Sequence, residues 1–251
     1  MPDRRRPWII AGASVAVLAV AAAAWLALSP LVPAVTTEEA LPAPTWAAPA
    51  APPVTAAAPS APGIASLADP VWLSQTAEST GIPERALAAY AGVAIDKALQ
   101  MPTCGLSWNT LAAIGYAESR HGTHAGSSVQ ADGTVSPGIF GIALDGASTA
   151  HIPDSDQGAI DGDAEYDRAV GPMQLIPQTW NNWHVDANAD GAGDPQNIDD
   201  ATMASANYLC RASGDMASED GWSAGITAYN SDPDYIVTIA EAGSRYRSEA
   251  E

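Results

Sequence analysis

The clearest periodic segment runs from Ser107 to Gly122. Leu111, Ile114, Gly115 and Glu118 recur there at spacings of three, four and seven, the pattern of one helix face. A second segment, ending in Ala228-Tyr229-Asn230, puts Trp222, Ile226 and Tyr229 on one side. Helix-start signals recur at Asp69-Pro70, Ser107, Ser218 and Asp232-Pro233. Each places a capping side chain, or a proline suited to the first helical position, before an apolar run. Gly81, Gly122, Gly214 and Gly243 are the matching stop signals. Long alternating strand patterns and internal repeats are absent, so the prediction is a mainly α domain. Between about Gly122 and Val170 the periodicity lapses for longer than a plain connector needs, which predicts a long irregular insertion.

Upstream the pattern changes twice. Arg4, Arg5 and Arg6 precede an uncharged, mostly apolar run from Pro7 to Leu28. That is about the length that crosses a bilayer, and the basic flank predicts a cytoplasmic start with the remainder outside. Residues 1–28 are therefore expected to be a transmembrane anchor, or a signal segment if the chain is cut within the run. Residues 29–68 are rich in proline and alanine and predict a disordered, extended linker. At about 3.1 Å per residue such a linker would reach on the order of 100 Å. Residues 69–251 are expected to form the folded domain.

Charge narrows the function classes. Lys and Arg total 10 against 29 Asp and Glu, a net charge of -19. A chain this acidic is repelled by phosphate backbones, so nucleic acid is not an expected partner. The two cysteines, Cys104 and Cys210, lack the spacing of a zinc or redox motif. In an exported chain they are expected to form a disulfide.

Glu118 carries the candidate chemistry. It projects from the face that should meet the core, where a carboxylate is rarely left without a partner. Low dielectric raises a carboxyl pKa, as a general acid requires. Gly115, one turn earlier, would leave room for a ligand. The competing reading is a buried ion pair with Arg168 or Arg120.

Two further motifs bear on that choice: Gly171-Pro172-Met173-Gln174 and Ala228-Tyr229-Asn230. With Glu118-Ser119 they stand in an order and spacing that resembles the lytic murein transglycosylases of the lysozyme superfamily. The likeness is to the membrane-bound type B branch in its actinobacterial form, and covers about Leu67 to Tyr246. The resemblance implies a lysozyme-like catalytic domain acting on peptidoglycan glycan strands at the cell envelope, outside the cytoplasmic membrane. Glu118 would be the single acid/base. Ser119 would help orient it, Met173 would line the cleft, and Gln174 would contact the sugar beside the cleaved bond. Tyr229 and Asn230 would stabilise the N-acetyl group and the developing charge. Ordinary glycosidases use two carboxylates; Asp161, Asp163 and Asp167 lie in the irregular stretch. The rival readings are a muramidase on the same fold, distinguished by a reducing product end, and a wall-binding protein without turnover.

Asp186-Ala-Asn188-Ala-Asp190-Gly191-Ala192-Gly-Asp194 matches the start of an EF-hand loop, with oxygen donors at positions 1, 3, 5 and 9 and glycine at 6. Ala192 would contribute its carbonyl. Position 12 is Asn197 rather than glutamate, so Asp199 or Asp200 would supply the last carboxylate of a lengthened loop. Some type B relatives carry such a site, which implies a structural Ca2+; catalysis itself calls for no cofactor. An Asx-rich turn is the competing reading. His121 and His124, split by the helix end, read as solvated.

Overall fold

The computed structural model describes residues 44–251. Seven α-helices dominate: α1 (Pro70–Thr80), α2 (Glu84–Gln100), α3 (Trp108–Ser119), α4 (Pro177–Trp183), α5 (Ile198–Ser213), α6 (Glu219–Tyr229) and α7 (Pro233–Glu249). The strands are two residues each, β1 (Ser128–Val129) and β2 (Val135–Ser136), paired antiparallel. The domain is mainly α, as the periodicity predicts.

Helix α3 is the axis of the core. Every side chain from Trp108 to Ile114 is buried, and α3 packs chiefly on α7. Around them α2 packs on α5, and α5 on α6. The four expected helix starts fall where the capping residues put them. Asp69 accepts from the amides of Val71 and Trp72, Ser218 from Gly221, and Asp232 from Asp234. Ser107 occupies the cap position of α3 without a side-chain bond. Gly81 and Gly214 end α1 and α5. Helix α3 stops earlier than expected, at Ser119, with Arg120 in the left-handed region. Gly243 lies inside α7 rather than at its end; a β-carbon there would stand 2.6 Å from the Ala47 methyl.

That contact leads to the main departure in domain organisation. Residues 44–68, expected to belong to the linker, lie on the folded body. Ala47 and Ala68 are buried, the Trp108 indole donates to the Ala51 carbonyl at 3.1 Å, and Asn109 bonds Ala48, Ala50 and Gly243. The segment folds back so that Ala56 donates to Leu67 and Asp69 to Val54. A short 3-10 helix, Ile64–Ser66, then docks on α2. Small alanine side chains let an extended strap lie flat on a helix surface, and the core supplies hydrogen-bond partners for its backbone. The same composition that cannot build a core can thus cover one.

Residues 122–170 form the expected irregular insertion. Its backbone is held by isolated bridges, Phe140 to Val170 and Pro153 to Tyr166 among them. The disulfide joins Cys104, in the loop after α2, to Cys210 in α5. Among the described residues no helix is long and apolar enough to cross a membrane. The anchor expected over residues 1–28 lies outside the described residues.

Candidate active site

Glu118 sits in the last turn of α3, half-buried. Its partner is not an arginine. Arg168 is taken by Asp163, with Nη2 at 2.7 Å and Nε at 2.9 Å from Oδ2. Arg120 lies over the Tyr116 ring at 4.0 Å. Among the described residues no basic group makes an ion pair with Glu118. Instead the Tyr235 hydroxyl donates to Oε1 at 2.6 Å. Burial pushes the Glu118 carboxyl up to about 7 from an ordinary 4.5, and the Tyr235 hydrogen bond opposes that rise. The outcome is a carboxyl that exchanges its proton near neutral pH.

Ser119 acts as a joint. Its hydroxyl donates to the Pro172 carbonyl at 2.6 Å and accepts from the Gly122 amide at 2.8 Å. It thereby ties the end of the Glu118 helix to the Gly171–Gln174 turn, rather than touching the carboxylate. Gly171 has φ 75, and a β-carbon there would collide with the Pro195 carbonyl. Only glycine satisfies both constraints. Gln174 also has positive φ, at 48, and its amide nitrogen donates to the Gly171 carbonyl at 2.9 Å. Strained turns of this kind persist where surrounding contacts hold them.

Met173 does not line an open cleft. Its side chain is fully buried in the core, and what it offers the site is its carbonyl. The Tyr229 hydroxyl donates to that oxygen at 2.6 Å, with the Ser205 hydroxyl 3.0 Å away. Burial raises the Tyr229 pKa, and the Glu118 charge raises it further, so the hydroxyl keeps its proton. Tyr229, Gln174 and Tyr208 line a cavity of about 220 Å³. Asn230 caps the end of α6, is exposed, and accepts from the Asp232 amide. The structure thus brings Glu118, Ser119, the Gly171–Gln174 turn and Tyr229 together, and leaves the Asn230 side chain engaged elsewhere.

Two expectations change. The space beside Gly115 is occupied by the Tyr90 hydroxyl, which a β-carbon would overlap. His121 is buried rather than solvated, while His124 is exposed. The Tyr90 hydroxyl lies 3.2 Å from His121 Nδ1 and the Tyr246 hydroxyl 2.9 Å from Nε2. Burial, then the charges of Arg245 and Arg120, lower its pKa to about 4, so the imidazole is neutral and braces α2, α3 and α7. The residue missed entirely is Tyr235. Its spacing of four from buried Ile239 marks the face of α7 that meets the core. Nothing local to it indicates Glu118.

The acidic loop is laced by bonds from its own backbone amides to its side chains, as an Asx-rich turn is. Asp186 accepts from the amides of Asp190 and Gly191, Asp190 from Ala192, and Asp194 from Gln196. Asn188 bonds Asp190 through both its side-chain atoms. Of the two candidates for the last carboxylate, Asp199 is committed to Arg85 at 2.6 Å. Asp200 is fully buried and turns into the loop, accepting from Ala187, Asn188 and Asp194. Burial raises its pKa despite those three bonds. The donors are hard oxygens, the type calcium takes, but their carboxylates do not converge on one point. Among the described residues, the carboxylates whose oxygens converge within 4.8 Å of one another are elsewhere, Asp154, Asp156 and Asp167. Those clamp their own turn: Asp154 and Asp156 take backbone amides, and Asp167 takes Ser155.

Comparison with protein-family models, with curated proteins and with solved structures finds no match for this chain, so the reading of the site rests on its own residues.

Proposed function

We propose that the chain is a peptidoglycan lytic transglycosylase of lysozyme-like fold, cleaving the β-1,4 bond between N-acetylmuramic acid and N-acetylglucosamine with Glu118 as its single acid/base. One observation carries the reading: a half-buried carboxyl in no ion pair among the described residues, held by a tyrosine hydroxyl, and poised at about 7. A pKa near working pH is what lets one group both give and take a proton.

In the first step protonated Glu118 donates its proton to the glycosidic oxygen as the bond to the muramyl C1 breaks. The substrate's N-acetyl oxygen supports the positive charge that develops there. In the second step the Glu118 carboxylate takes the proton of the muramyl 6-hydroxyl, whose oxygen closes on C1. The product is a 1,6-anhydro end, no water is consumed, and Glu118 regains its proton. Tyr235 stabilises the carboxylate between the steps. Tyr229 and the Gly171–Gln174 turn would hold the sugars against the carboxyl.

The apolar run after Arg4–Arg6 would anchor the domain to the outer side of the cytoplasmic membrane. The Cys104–Cys210 bond suits an oxidising compartment there. A calcium ion held by Asp186, Asn188, Asp190, the Ala192 carbonyl, Asp194 and Asp200 would brace the start of α5 and takes no part in the chemistry. The deciding experiment is mass spectrometry of fragments released from purified wall. Anhydro-muramyl ends are expected. Reducing ends would make the enzyme a hydrolase, and no fragments would remove the activity.

A further inference from the structure

The chain is poor in positive charge, and much of it is already engaged. Of its ten basic residues, Arg4–Arg6 precede the described residues and seven lie within them. Arg85, Arg168 and Arg247 are in ion pairs with Asp199, Asp163 and Glu251. Lys97 donates to Asn207 at 2.6 Å. Arg211 makes no ion pair among the described residues and lies in a separate hollow beside Trp183 and Gly214. Arg120 and Arg245 differ from it in sharing one aromatic surface beside Glu118. Among the described residues neither makes an ion pair, and both lie over the Tyr116 ring, Arg245 also standing 4.8 Å from the Tyr246 centroid. Arg120 Cζ lies 4.0 Å from the Tyr116 centroid and Arg245 Cζ 5.3 Å from the same centroid.

These two guanidiniums line a groove of about 480 Å³ between α3 and α7. Tyr235 forms part of its wall, and its hydroxyl is the one bonded to Glu118. The groove therefore opens one side chain away from the proposed reacting carboxyl. A guanidinium stacked on an aromatic face keeps its edge N–H donors free for a planar acceptor. Two like charges on one ring repel each other, and an anion between them relieves that repulsion. Glu241 also lines the groove, and one carboxylate against two guanidiniums leaves it positive. On a molecule of net charge -19, an anionic substrate meets repulsion over most of the surface and attraction here.

We propose that this groove is a carboxylate subsite, in which Arg120 and Arg245 hold a carboxylate carried by the muramyl side chain of the strand while the scissile bond lies at Glu118. The carboxylate belongs to the attached peptide or, where the peptide has been removed, to the lactyl group. The subsite rests on the glycan-cleaving reading of Glu118, and the test separates the two. The full chain and its Arg120→Gln/Arg245→Gln variant are compared on three substrates: peptide-bearing strands, the same strands with their carboxylates amidated, and strands stripped to the lactyl group. On peptide-bearing strands KM should rise on the order of five- to ten-fold, with kcat retained, as expected of two partly exposed charge-assisted contacts. On amidated strands the loss should vanish. A loss that persists on stripped strands assigns the lactyl carboxylate, and one confined to peptide-bearing strands assigns the peptide. Equal loss on amidated strands, or none on any, overturns the subsite. An Arg120→Lys/Arg245→Lys variant, which keeps the charge, should fall between, and guards against a change in folding. Calorimetry with a muramyl peptide and its amidated form reads the subsite without turnover. Arginine-dependent binding by a chain that releases no fragments would keep the subsite and sink the cleavage. No such binding by that chain would sink both.

Discussion

Replacing Glu118 with glutamine keeps the side chain's shape and its bond from Tyr235, and removes its ability to change charge. Two consequences follow from one perturbation. Turnover should fall by at least about 10²- to 10⁴-fold, the usual share of general acid–base catalysis. Stability should rise, with a definite pH dependence. In the unfolded chain the carboxyl ionises near its ordinary 4.5; in the fold it holds its proton to about 7. Below the unfolded value both states are protonated, and Glu118 is no burden. Between the two values the unfolded chain releases a proton that the fold retains, so stability falls as pH rises. Above about 7 the burden is complete. A rise of this size corresponds to about 3 kcal/mol at most. Because Glu118 keeps some contact with water, about 1 to 3 kcal/mol is the better expectation. Glu118→Gln should therefore melt roughly 2 to 10 °C higher than the parent at pH 8, with the gap closing by pH 4. Melting curves across that range, beside turnover on purified wall, provide the assay. A gap that does not change with pH would refute the environment assigned to Glu118, and more than a few percent residual rate would refute its role.

Tyr235→Phe removes the bond that favours the carboxylate, so the alkaline limb of kcat/KM, expected near 7 in the parent, should move up by about one unit; an unmoved limb would detach Tyr235 from the proton exchange. Thiol titration of unreduced, denatured protein should find no free cysteine. Replacing Cys104 and Cys210 by serine should cost up to about 4 to 5 kcal/mol in denaturant titrations, since the bond closes a loop of 106 residues. Chelator should lower the melting temperature and calcium restore it, with magnesium a poor substitute. Asp190→Ala should erase that dependence, and a curve indifferent to chelator would leave the segment as a turn.

What could be read in the sequence was local. Asp69, Ser218 and Asp232 marked helix starts because a cap acts within one turn of itself. Glu118 stood out because a carboxylate on an apolar helical face conflicts with its surroundings wherever the helix goes. The identity of its partner was not local. Tyr235 lies 117 residues further on, and meets Glu118 only because α7 lies along α3. Gly243 looked like a stop and is a point of close approach, a difference set by Ala47 nearly two hundred positions away. His121 looked solvated because its two tyrosine partners come from α2 and α7. The strap from 44 to 68 was misjudged for a different reason. Composition reports whether a segment can make its own core, and is silent on whether another core will accept it.

The strap also shortens the leash. Counting from the end of the apolar run, the expected spacer of about forty residues would have let the domain range far from the membrane. With residues from 44 onward bound to the body, fifteen residues, 29–43, remain between the proposed anchor and the folded domain. Fifteen residues of any conformation span at most about 50 Å. Under the proposed anchor and activity, Glu118 would reach only strands within about that distance of the membrane, and anything farther out would lie beyond it.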